Sequence, residues 1–245
     1  MDAEANVYGG GRTTLGLAAT SVHPELAGVQ EALLQLLLDH GAQIEKPNLA
    51  GNSQGVVISC LANGRQKAAV FLASRGASLN LESAAGTGRL EIVKTSFHTD
   101  GTLLPPTTKR DLQAGFLWAC MYGHEDVASF LLEHGADFRD AAGTGATGLH
   151  WAAGGGHLGI VRRLLDLGSP LEEINRWGGS VLEHAGHGFE HETSKVDFIP
   201  TFEALLATGA KIRGRWLEWI GNLRTRSDAE KARAIEVFQR YGATT

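Results

Sequence analysis

Cysteine is nearly absent from this chain of 245 residues; only Cys60 and Cys120 occur. Two thiols make neither a disulfide scaffold nor, by themselves, a cysteine zinc site. The sequence also lacks any apolar run of about 18 residues, and no N-terminal basic segment leads into an apolar stretch. Neither membrane spanning nor secretion is therefore expected, and the cytoplasm is the default location. Dense Lys/Arg runs are missing too. With 22 basic against 27 acidic residues and a net charge of -5, there is no electrostatic footprint for nucleic acid. What the chain does have is 43% hydrophobic residues and 32 glycines, enough for a substantial core in one or two domains or one repeat array.

The glycines first suggest a phosphate cradle. Gly154-x-Gly156-x-x-Gly159 matches the dinucleotide fingerprint, and Gly143-x-Gly145-x-x-Gly148 matches it again just upstream. The fingerprint has physical meaning only after a buried strand and ahead of an acidic residue about 20 positions on. Before Gly154 stands Leu149-His150-Trp151-Ala152-Ala153, whose small alanines suit a tightly packed short helix.

A repeat explains the glycines better. LLLDHGAQI, FLASRGASL, FLLEHGADF, LLDLGSPL and LLATGAKI are one recurring phrase, with Gly41, Gly76, Gly135, Gly168 and Gly209 at its turn. A weaker copy, SFHTDGTLL, inserts Gly101, so the steps are 35, 25, 34, 33 and 41 residues. A second glycine precedes most of these by 12 or 13 residues: Gly64, Gly88, Gly123 and Gly156. Helix ends need such residues, because glycine enters the left-handed turn without strain.

TTLGLAA (Thr13 to Ala19) and TGLHWAA (Thr147 to Ala153) resemble the helix-start motif of the ankyrin repeat family, and the resemblance covers nearly the whole chain. It implies an all-α solenoid of stacked helix-turn-helix units of about 33 residues, joined by β-turn fingers. On this reading residues 1–12 are a partial finger of a preceding repeat, 13–212 are six repeats, and 213–245 form a C-terminal helical cap. The third repeat has no room for a finger. The first and sixth carry insertions between their helices, SVHPELAG and HGFEHETSKVD, and Gly186 and Gly188 are expected to interrupt the helix there. In the cap, Ser227 and Glu230 form a capping box, and Ile235, Phe238 and Tyr241 recur at helical spacing. Cys60 and Cys120, two repeats apart on inner helices, would stand on the order of 20 Å apart as buried thiols.

Aligned by repeat, one inner-helix column reads Leu17, Ser59, Ser83, Trp118, Trp151 and His184. If it lines a concave groove, Met121, Tyr122 and His187 join it, with the finger residues Arg139, Asp140, Arg176 and Trp177. Two readings of Trp118 and Trp151 stand side by side: core filler between stacked helices, or an aromatic floor for a ligand. His124, His150 and His157 occupy family-typical positions and are expected to serve structure. An alternative enzyme reading gathers Glu82, His150, Glu183 and His184 into an acid/base pocket beside tryptophan.

His184, His187 and His191, with Glu190 in an H-x-x-E-H order, raise the question of a metal. The interrupting glycines favour a solvated histidine-rich turn instead, so no metal and no cofactor are expected. The resemblance implies a protein partner bound through groove and fingers rather than turnover of a substrate. In the first outer helix, Leu33, Leu34, Leu36, Leu37 and Leu38 cannot all face inward. Self-association through this uncapped N-terminal edge, or a longer parent array, is therefore expected as well.

Overall fold

Thr13, Asn80, Thr147 and Ser227 each precede a helix and place a side-chain oxygen where the first turn has unpaired N–H groups. Between such starts and the glycines at positive φ, the chain folds into short antiparallel helix pairs. The computed structural model describes residues 4–5, 12–45, 55–191 and 196–244. Most of the expected partial finger, and residues 192–195 of the insertion in the sixth repeat, lie outside the described residues. The chain divides into two units, Met1–Asp111 and Leu112–Thr245.

In the first unit, β1 (Glu4–Ala5) and β2 (Arg12–Thr13) pair antiparallel. Then come α1 (Thr14–Thr20), a short α2 (Val22–Leu26) and α3 (Gln30–Asp39). They are followed by α4 (Val56–Ala62), α5 (Gln66–Ser74), α6 (Leu81–Gly86) and α7 (Leu90–Lys94). The core is small-residue and leucine packing: Leu15, Ala19, Leu34, Leu61, Ala68, Leu72, Ala84 and Ala85 are buried. Gln30, also buried, donates its amide to the carbonyls of Ala18, Ala19 and Ser21, each at 3.1 Å. This joins the C-terminal end of α1 to α3 across the inserted α2.

Only residues 77–80 separate Gly76 from α6. Gly101 does not end an outer helix: it lies in a turn closed by the bridge between Phe97 and Leu103, beyond the five-residue α7. Of the five leucines in α3, Leu34 and Leu37 are buried while Leu36 is 54% exposed.

The second unit begins within α8 (Lys109–Tyr122) and continues with α9 (Glu125–Glu133), a 3-10 turn at Ala142–Thr144, α10 (Gly148–Gly154) and α11 (Leu158–Asp166). Then follow α12 (Val181–His191), α13 (Ile199–Ala207), α14 (Trp216–Asn222) and α15 (Asp228–Arg240). Its core runs from Phe116, Leu131 and Leu149 through Leu164, Phe189 and Phe202 to Phe238. The expected break at Gly186 and Gly188 is corrected: α12 runs through both glycines to His191. Here glycine serves close approach rather than flexibility. A Cβ on Gly188 would lie 1.9 Å from the carbonyl oxygen of Gly154 on α10, and one on Gly186 would lie 2.7 Å from the Trp216 ring.

In α15 the Ser227–Glu230 capping box is present, with Glu230 N donating to Ser227 Oγ at 3.3 Å and Ser227 N to Glu230 Oε2 at 2.9 Å. Its buried face is Ala234, Val237 and Phe238, and Tyr241 is exposed rather than part of it.

Candidate partner-binding face

Asn175 organises the finger ahead of α12. Buried at 5% exposure, it accepts from Trp177 N at 3.0 Å and Gly179 N at 3.1 Å through Oδ1. Gly178, at φ 83°, closes the turn. The Asn175 amide then donates to His184 Nδ1 at 3.1 Å, which leaves the proton of the neutral ring on Nε2. Burial, then the neighbouring His150 and His187, lowers the His184 pKa to about 4. The finger is thus tied to α12 by one side chain, and it holds Trp177 58% exposed. Arg176 lies 4.7 Å over the Trp177 ring.

Around this finger the rings interlock. Trp151 of α10 meets Trp177 edge-on at 6.2 Å and His184 at 5.2 Å. Along α12, His187 and His191 stack at 4.3 Å, and burial lowers the pKa of His187. The fourth residue of the helix is Trp151 in α10, His184 in α12 and Trp219 in α14. Trp219, unnoticed in the sequence, is therefore the next member of the tryptophan column. Its signal was the spacing: Leu149-x-Trp151 recurs as Leu217-x-Trp219, inside a segment that lacks the helix-start motif.

Between α12 and α14 lies a cleft of about 340 Å³. Trp216 and Trp219, crossed edge-to-face at 5.1 Å, form its aromatic wall beside Gly186. Glu183, His187 and Glu190 enter from α12, and Arg213 and Arg215 from the turn before α14.

The remaining candidates fall in several places. Trp118 and Tyr122 stack on each other along α8, with centroids 6.0 Å apart. Both are half-buried, as is Met121, whose carbonyl accepts from His157 Nε2 at 3.0 Å. Arg139 and Asp140 are exposed in the finger after α9, which Gln113 braces by donating to the carbonyls of Asp137 and Asp140.

The four residues of the enzyme reading have structural duties or separate locations. His150 is buried, accepts from Thr147 through Nδ1 at 3.1 Å, and gives Nε2–H to the Glu173 carbonyl at 3.1 Å. Burial lowers its pKa. Glu183 Oε2 accepts from Ser180 N at 2.7 Å at the start of α12. Glu82 lies on α6 of the first unit, whereas the other three belong to the second.

Among the described residues no group of three His, Cys, Asp or Glu side chains is arranged to hold a metal ion, the α12 histidines included. The glycines of the apparent phosphate fingerprints pack against side chains instead: Gly154 against His184, and Gly148 against Phe116 and Cys120. Cys60 and Cys120 are buried free thiols, and burial pushes Cys60 up to about 12 and raises Cys120 as well.

Stacked helix pairs with glycine turns and projecting fingers define a helical repeat protein. A family model of ankyrin repeats matches residues 81–176 as three copies, and over that stretch the chain is similar to ankyrin repeats. Among solved structures, the crystal structure of the human ASB11 ankyrin repeat domain is similar at 16% identity and a TM-score of 0.47. The alignment covers 96% of this chain and 100% of that one. No curated protein matches the sequence. Ankyrin repeat domains are in general protein-binding scaffolds. No described helix is long and apolar enough to cross a membrane.

Proposed function

We propose that this chain is a recognition scaffold, and that it binds a segment of a protein partner across the inner helices and finger of its second unit. The observation that supports this reading is Trp177. It is a large indole 58% exposed, yet fixed in place through Asn175 and in ring contact with Trp151 and His184. An aromatic side chain that is held rigid but left uncovered loses little entropy on binding, and such residues dominate interface energetics.

The test is Trp177→Ala, measured against peptides selected from a random display library on the intact chain. Affinity should fall at least about tenfold, as hot-spot truncation implies. Melting temperature should hardly move, because the indole is mostly outside the core. Unchanged affinity would contradict the reading.

A second contact, between copies of the chain, is supported by the first unit, where Leu26, Val29 and Leu36 are 75%, 49% and 54% exposed. Two buried thiols suit a reducing compartment such as the cytoplasm.

A further inference from the structure

The cleft between α12 and α14 has an unequal balance of charge. Glu183 and Glu190 open into it from one side, and Arg213 and Arg215 from the other. Each arginine, however, has a carboxylate of its own outside the cleft: Arg213 Nη2 lies 2.6 Å from Glu172 Oε2, and Arg215 Nη1 lies 3.0 Å from Glu218 Oε2. Among the described residues, four carboxylates therefore surround two guanidinium groups. The excess of two negative charges falls to Glu183 and Glu190, on the wall facing Trp216 and Trp219. Glu183 uses Oε2 to cap α12, and among the described residues Glu190 has a long approach of 3.9 Å to His191 Nδ1 as an ion pair and acts electrostatically on His187.

From this arrangement we propose that the cleft is a pocket for a cationic side chain, arginine or lysine, of the bound partner segment. Trp216 is buried with its ring stacked on Phe238 at 4.6 Å, so the half-buried Trp219 is the indole that offers a cation its quadrupole, and carboxylates at the rim add Coulomb attraction and hydrogen-bond acceptors. A volume of about 340 Å³ admits a long aliphatic stem with its charged head. The proposal rests on the recognition reading for the origin of the side chain, while the pocket's chemistry stands on Glu183, Glu190, Trp216 and Trp219 alone.

The test uses the full chain and N-acetyl-arginine amide, with the citrulline amide as a neutral control of nearly the same shape. Tryptophan indole N–H signals are followed by NMR at low salt and again at severalfold higher salt, assigned with Trp219→Phe. Arginine amide should move the Trp216 and Trp219 signals saturably, and citrulline amide should bind at least about fivefold more weakly, since it lacks the charge that both indole and carboxylate attract. Raised salt should weaken the arginine complex. Glu190→Gln should lower its affinity about two- to fivefold, in the range of exposed charge pairs, and Glu183→Gln, which keeps an oxygen for Ser180 N, should act in the same direction.

Equal binding of arginine and citrulline amides would overturn the proposal. So would unchanged affinity in both Gln variants, or shifts confined to Trp118, Trp151 and Trp177. If library peptides fail to depend on Trp177 while the arginine amide still titrates Trp219, the recognition reading falls and the pocket stands.

Discussion

Gly188→Ala adds one methyl group in the middle of α12, and two effects of opposite sign follow. Alanine is the better helix former by about 1 kcal/mol. The new Cβ, however, would stand 1.9 Å from the Gly154 carbonyl oxygen and 2.9 Å from the Phe198 ring. The nearest obstacle is backbone and cannot rotate away, so α10 and α12 must part by more than about 1 Å, where protein interiors have no slack. Overpacking of this kind costs about 3 kcal/mol at the upper end of its usual range. The net loss is then about 2 kcal/mol, or a fall in melting temperature of about 4 to 8 °C for a chain of this length.

Gly221→Ala supplies the control. It lies in α14 with nothing within 4 Å of the position a methyl carbon would take, so only the propensity effect operates and stability should hold or rise by up to about 1 kcal/mol. Both variants are compared by urea unfolding. If Gly188→Ala is as stable as the parent or as Gly221→Ala, the close approach of α10 and α12 is wrong, and with it the placement of Trp151 beside His184.

Stability should depend on pH through His184. Its pKa falls from 6.5 to about 4 on folding, so below pH 6.5 the unfolded chain binds a proton that the folded chain refuses. Folding free energy is then complete above pH 6.5 and declines between about 6.5 and 4 by up to ~1.4 kcal/mol per pH unit. His184→Gln should reduce this slope in pH-dependent denaturation, leaving the part due to His150 and His187, whose pKa values are also lowered. Gln30→Leu removes the amide that bonds three carbonyl groups between α1 and α3, of which Ala19 keeps only the weak thiol of Cys60, and should destabilise the fold by about 1 to 3 kcal/mol; a neutral result in urea unfolding would show that these bonds contribute nothing. Leu36→Lys should shift sedimentation of concentrated protein toward the monomer, whereas a parent chain already monomeric at high concentration would remove the proposed contact between copies.

The repeats were legible because glycine at a helix end is set by local backbone geometry. Gly41, Gly64, Gly76, Gly88, Gly123, Gly135, Gly156 and Gly168 all adopt positive φ. The path of α12 was not legible, because Gly186 and Gly188 have the same local propensity whether they break a helix or admit Trp216 and the Gly154 carbonyl. Only the neighbouring elements decide between the two. Trp118, Trp151 and Trp177 could be picked out by register, but their partners could not. Asn175, which connects the finger to His184, has an ordinary turn residue's signature and no mark of its role. Trp216 and Trp219 were assigned to a cap because their segment lacks the helix-start motif. The same segment supplies one wall of the cleft.

The central claim is that partners are bound on the inner helices and finger of the second unit. Hydrogen exchange of the intact chain with and without a library-selected peptide tests it most directly. Protection should concentrate on residues 175–191 and 213–222, and Trp177→Ala together with Trp219→Ala should abolish it while the helices stay folded. Protection confined to the outer helices α9, α11 and α13, or a footprint unaltered by the two substitutions, would contradict the claim.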